Sequence, residues 1–174
     1  MRIERKIILA VLFLFISATI AQSNVLNLHS EELSINGGIP FSSTSEVIKK
    51  IESKNTGIQF IKGKEVNGNE HFYANFKGKG GIQIFSKKNQ VLGINIISIM
   101  GRSALGKKAL PLSINQLLTD LVSVEASAWF NTSLKAFSAS TKAKTTITHN
   151  EKLAVVTLSY DDSNKALTIL LKPH

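Results

Sequence analysis

Cysteine is absent from this 174-residue chain. Disulfide staples, thiol nucleophiles, Cys-type zinc sites and iron–sulfur clusters are therefore excluded, and the packed core has to supply the stability. Arginine is almost absent too, because beyond residue 21 only Arg102 remains. The apolar run Ile7–Ile16 is well short of the roughly 20 residues that a bilayer-spanning helix needs. The four histidines, His29, His71, His149 and His174, are scattered without metal-ligand spacing, so neither a metal nor a cofactor is expected. Acidic residues are also scarce, at 12 against 21 Lys and Arg.

The first 21 residues have the three parts of a cleavable secretory signal. Arg2, Arg5 and Lys6 make a positive start, Ile7–Ile16 an apolar middle, and Thr19-Ile20-Ala21 a small-residue cleavage site. The reading predicts a secreted or periplasmic protein with no stable membrane span once the signal is removed. Residues 22–174 then form a single domain carrying 18 Lys/Arg against 11 Asp/Glu, a net +7. That surplus favours an anionic macromolecule or an acidic protein face as partner. Asn131-Thr132-Ser133 is a glycosylation sequon.

The patterning predicts an α+β fold: an antiparallel sheet, made of a meander plus a C-terminal hairpin, packed with two or three helices. A short strand over 33–36 meets the Gly37-Gly38 turn. Ser43 and Glu46 have capping-box spacing ahead of Val47, Ile48 and Ile51, which share one helix face, and Asn55 and Gly57 end that helix. Strands are expected at Ile58–Ile61, Phe72–Phe76, Ile82–Phe85 and Val91–Ile99, separated by Asn/Gly and Lys/Gly turns. A second helix opens near Pro111 and Ser113, with Gln116 again at capping-box spacing. Its stripe Ile114, Leu117, Leu118, Leu121 and Val122 faces a core. A helical piece follows over Glu125–Phe137. Leu153–Tyr160 and Ala166–Leu171 close the chain as a hairpin, with Thr145–His149 as a possible third strand. The entries Ile39-Pro40-Phe41-Ser42 and Leu110-Pro111-Leu112-Ser113 suggest two helix-plus-meander halves, 37–100 and 109–174.

No complete catalytic constellation is present. Gly101–Lys108 approaches a phosphate-binding loop, but Lys108 stands where a magnesium-holding Ser or Thr belongs and Pro111 interrupts the following helix. What survives is an anion-binding loop. The adjacent carboxylates Glu31-Glu32 and Asp161-Asp162 would point to opposite faces of a strand and make no acid/base couple. Trp129 with Phe130, and Phe72 with Tyr73, could stack a base or a sugar, though core packing is the ordinary use of such rings.

Some segments resemble the ribosome-inactivating proteins. Ile82-Gln83-Ile84-Phe85 through Asn89-Gln90-Val91-Leu92-Gly93 is similar to that family's strand pair. Gly106-Lys107 with Pro111-Leu112 and Leu117-Leu118 resembles its helix entry, and Glu125, Ser127, Trp129 and Ser133 its tryptophan-bearing helix. Ala166–Leu171 is similar to its apolar C-terminal end. The resemblance implies rRNA N-glycosidase activity on adenine, with Glu125, Trp129 and Arg102 in one cleft. The chain departs from the family at Ile94, where an adenine-stacking tyrosine belongs. It also lacks the Glu-Ala-Ala-Arg signature, of which Glu125-Ala126-Ser127-Ala128 is only an echo.

The leading expectation is thus an exported, non-catalytic binding protein with a basic face, an inhibitor or adhesion-type module. Tandem helix-plus-meander domains that inhibit secreted enzymes offer an architectural analogy. Recognition is expected at the Lys/Gly turns: Lys77, Lys79, Lys87, Lys88, Arg102, Lys107 and Lys108. The N-glycosidase relative is the alternative.

Overall fold

A computed structural model describes residues 43–76, 79–105 and 113–174. The signal, the lead-in with its 33–36 strand, and residues 39–42 and 110–112 of the two Pro-containing entries lie outside the described residues. The chain runs α1 (Thr44–Lys54), β1 (Ile61–Lys62), β2 (Glu70–Asn75), β3 (Gly80–Lys87) and β4 (Gln90–Ile99). A 3₁₀ turn (Arg102–Ala104), α2 (Ile114–Leu121), α3 (Val124–Ala139), β5 (Lys144–Asn150), β6 (Ala154–Asp161) and β7 (Ala166–Pro173) follow. The strands make one seven-stranded sheet in the order β1-β2-β3-β4-β7-β6-β5, with every neighbouring pair antiparallel. The fold is α+β, and the final strands of the two suggested halves, β4 and β7, pair at its centre.

Local chemistry explains most boundaries. Ser43 caps α1 by accepting from the Glu46 N–H, and Val47 and Ile51 bury its apolar face. Lys88 and Asn89 both have positive φ, 49° and 64°, and form the two-residue turn whose twist suits a β3–β4 hairpin. The Ile58–Ile61 strand shrinks to two residues for a visible reason. Ile58 is buried in the core, and the Phe60 N–H is taken by the Glu52 carboxylate of α1 at 2.8 Å. Ser113 stands at the start of α2 but makes no side-chain cap bond. Instead its N–H donates to Asn55 Oδ1 at 3.0 Å, tying α2 to the end of α1. The functioning cap of this region is Ser123, whose Oγ accepts from the Ala126 N–H at 2.9 Å.

The core lies between the helices and one face of the sheet. Alternate residues of the central strands, such as Ile84, Ile96, Leu158 and Ile169, are fully buried. They share one cluster with Val47 and Ile51 of α1, Leu118 of α2 and Phe130 and Phe137 of α3. Each buried aliphatic or aromatic side chain contributes about 1.5–3 kcal/mol, so this two-layer packing meets the demand that the missing cysteines impose. None of the described helices covers the opposite face of the sheet.

Candidate binding surface

The uncovered face is built by the strand positions between the core residues, most of them half-buried. Register sets the neighbours: His71 opposite Phe85, Tyr73 opposite Gln83, Gln83 opposite Asn95, and Asn95 opposite Leu170. The His71 ring is stacked on Phe85 (centroids 5.0 Å apart, planes at 11°) and on Tyr73 (5.6 Å, 27°). Beside this ladder Asn95 Nδ2 donates weakly to Gln83 Oε1 at 3.4 Å. Two buried polar atoms here have no hydrogen-bond partner, His71 Nε2 and Asn95 Oδ1. Burial pushes the pKa of the His71 imidazole below its ordinary value. Toward β5 the face turns to hydroxyls, with the Thr146 and Ser159 oxygens 3.1 Å apart. The surface therefore offers stacked rings, amides with spare hydrogen-bonding capacity and a Thr/Ser flank.

The lysines frame this sheet rather than form a single patch. Lys87 and Lys88 sit at the β3–β4 turn and Lys79 at the β2–β3 turn, all exposed. Those turns lie at opposite ends of an eight-residue strand, hence about 25 Å apart at strand rise. Lys77, Lys107 and Lys108 lie outside the described residues. Arg102 is engaged in holding the fold together. Its Nε and Nη2 donate to the Asp162 carboxylate, Nη1 donates to the Phe137 carbonyl and Nη2 to the Lys142 carbonyl. Its guanidinium also stacks over Tyr160, 4.6 Å from the ring centre. One side chain thus joins the 3₁₀ turn, the end of α3, the α3–β5 connection and the β6–β7 turn. The anion-binding loop expected over Gly101–Lys108 is described only to Leu105, as that 3₁₀ turn.

The residues carried by the family resemblance are not brought together. Glu125 is exposed on the first turn of α3. Trp129 is part-buried and stacked on His149 of β5, with centroids 4.8 Å apart and planes at 12°. Arg102 meets the far end of α3 at Phe137, twelve residues from Glu125 and hence about 18 Å along the helix axis. Asp161 and Asp162 divide their work. Asp161 accepts from the Ser163 backbone N–H and hydroxyl within the turn, and Asp162 pairs with Arg102. Asn131 is exposed on α3.

Sequence reasoning missed two arrangements. One is the ring ladder with its unpartnered atoms, which the His71/Tyr73 spacing of two hinted at. The other is the contact between the start of α1 and the β3–β4 turn, which no sequence pattern announced. Among the described residues no cluster of three or more His, Asp or Glu could hold a metal ion, and no helix is long and apolar enough to cross a membrane. No protein-family model, curated protein or solved structure matches this chain.

Proposed function

We propose that the chain is an exported, non-catalytic recognition module that binds an acidic protein surface through the uncovered face of its sheet. The observation that carries this reading is the His71–Tyr73–Phe85 ladder beside two buried, unpartnered polar atoms. A buried polar atom without a partner costs about 1–3 kcal/mol, a cost that turning the Asn95 amide toward a partner's donor would remove. Rings with adjacent amides and hydroxyls are the composition of protein contact surfaces. A sheet of this width and strand length presents a face of about 800 Å², comparable with the roughly 800 Å² per partner of standard interfaces. Lys79, Lys87 and Lys88 at the rim speed the approach of an acidic partner, and the secretory pattern of residues 1–21 supports an encounter outside the cytoplasm.

The test compares proteins retained from extracellular and periplasmic fractions by the immobilised chain and by a Tyr73→Ser/Phe85→Ser variant of unchanged circular dichroism. A partner that is retained by the first alone, and that binds less tightly as salt rises, supports the reading. Equal retention by both overturns it. The N-glycosidase alternative predicts adenine release from ribosomes that Glu125→Ala abolishes. We expect no release, because Glu125 and Arg102 stand at opposite ends of α3.

A further inference from the structure

On the helix-bearing side, away from the ring ladder, an open groove of about 830 Å³ lies between the start of α1 and the β3–β4 turn. The two are locked together by the Thr44 N–H, which donates to the Asn89 carbonyl at 2.9 Å. Thr44 lines this groove at 2% exposure, and its Oγ1 is buried without a hydrogen-bond partner. The eleven-residue α1 directs the positive end of its dipole here. Ser45, Lys49, Lys87 and Lys88 line the same groove, and the three lysines have no salt-bridge partner among the described residues.

Three carboxylates also line the groove, and two of them are committed elsewhere. Glu52 accepts from the Phe60 N–H at 2.8 Å. Glu70 accepts from Lys62 at 2.7 Å and from Ser86, and the Lys62 hydrogen bond holds its carboxyl below the usual carboxylate range. Glu65 is exposed, on the stretch that follows β1. Glu52 keeps its charge but lies about two helical turns from Thr44, so the α1–turn corner holds Lys87, Lys88 and the unpartnered hydroxyl, with the exposed Glu46 on the same first turn.

We infer that this corner binds a phosphate-type oxyanion. Thr44 Oγ1 donates to one oxygen, the α1 N-terminus and Lys87 and Lys88 balance the charge, and Lys49 closes the side one helical turn away. The groove opens on the helix-bearing side but shares Lys87 and Lys88 with the rim of the sheet face, so Thr44→Val, which leaves that rim intact, is the variant that separates the two readings.

The experiment titrates inorganic phosphate into the isotope-labelled chain and follows the backbone amide resonances. A second arm measures sedimentation with phosphatidylcholine vesicles with and without phosphatidic acid. The expected result is saturable shifts confined to Thr44, Ser45 and the Lys87–Asn89 turn. Thr44→Val weakens the affinity about tenfold by removing a hydrogen bond to a charged group. Thr44→Ser retains affinity, and Lys87→Glu/Lys88→Glu abolishes it, all with otherwise unchanged spectra. Vesicle binding that needs phosphatidic acid and follows the same variant pattern assigns the phosphate to a lipid headgroup. Phosphate binding without vesicle binding assigns it to a soluble ligand. Absence of saturable shifts, or shifts that Thr44→Val and the double lysine variant leave unchanged, overturns the inference.

Discussion

Alanine in place of Gly80 probes the tightest backbone approach in the sheet. Gly80 opens β3 opposite Ser98 with φ at +120°, a region L-residues rarely adopt. A Cβ placed there would stand 1.9 Å from the Ile97 carbonyl oxygen and 2.7 Å from its carbon. Neither atom can retreat easily, because β4 is held on its other side by β7, with Ile97 opposite Thr168. Restoring ordinary contact pushes the strands apart by about 1.5 Å. That movement strains the Ile99 N–H bond to the Lys79 carbonyl and the Phe76 N–H bond to the Gly80 carbonyl, 2.8 and 2.9 Å long. Backbone strain of about 1–3 kcal/mol and two weakened hydrogen bonds of about 1 kcal/mol each give a loss of about 3–5 kcal/mol. For a domain whose whole stability is about 5–15 kcal/mol, the melting temperature should fall by about 10–15 °C. Gly93→Ala is the control, since its Cβ meets only the Leu171 carbonyl oxygen at 3.4 Å. It should cost less than about 1 kcal/mol. Calorimetry and urea titration of both variants decide the matter. A Gly80→Ala loss below about 1 kcal/mol, or equal losses in the two variants, refutes the reasoning.

Three further outcomes are expected. Ser123→Ala should cost about 1 kcal/mol in urea titrations, whereas Ser113→Ala, which removes no capping bond, should cost only a few tenths. Arg102→Lys should lower the thermal midpoint although the charge is kept, because an ammonium cannot serve Asp162 and the Phe137 and Lys142 carbonyls together; an unchanged midpoint would remove Arg102 from its joining role. The third concerns His71, whose folded pKa lies below its ordinary value because it is buried. The unfolded chain therefore binds more protons as pH falls through about 6.5, so that stability declines on acidification from there toward the folded pKa. His71→Gln should flatten that slope, and identical slopes in both proteins would show that His71 does not contribute to it.

Elements with a strong period could be read from the chain, and those settled by one tertiary bond could not. The α2 stripe Ile114, Leu117, Leu118 and Leu121 is buried as its spacing indicated, because burial of one helix face is decided by sequence-local geometry. The β3 and β4 runs and the Lys88-Asn89 turn follow in the same way. Ile58–Ile61 looks like a strand by composition, yet Glu52 captures the Phe60 N–H and Ile58 turns into the core. Ser113 and Gln116 have the spacing of a capping box, yet Gln116 bonds Asp120 and Asn55 takes the Ser113 N–H. In both cases the deciding partner lies on another element, at a separation no local pattern encodes.

The candidate surface stood halfway between these cases. Period-two alternation shows that His71 and Tyr73 share one face and that Ile82 and Ile84 share another, whatever the fold. Which face the helices cover depends on the pairing of β4 with β7, a contact between residues some seventy positions apart. That pairing merges two short sheets into one, and only then does the face bearing His71, Phe85 and Asn95 become wide enough to meet another protein. The lysines show the converse. As a sequence they form one basic list, but β3 separates Lys79 from Lys87 and Lys88, and Asp162 neutralises Arg102. What remains is Lys79 at one end of the face and Lys87 and Lys88 at the other, with Lys172 and the Lys144–Asp161 pair toward the β5–β7 side and the rings and amides between.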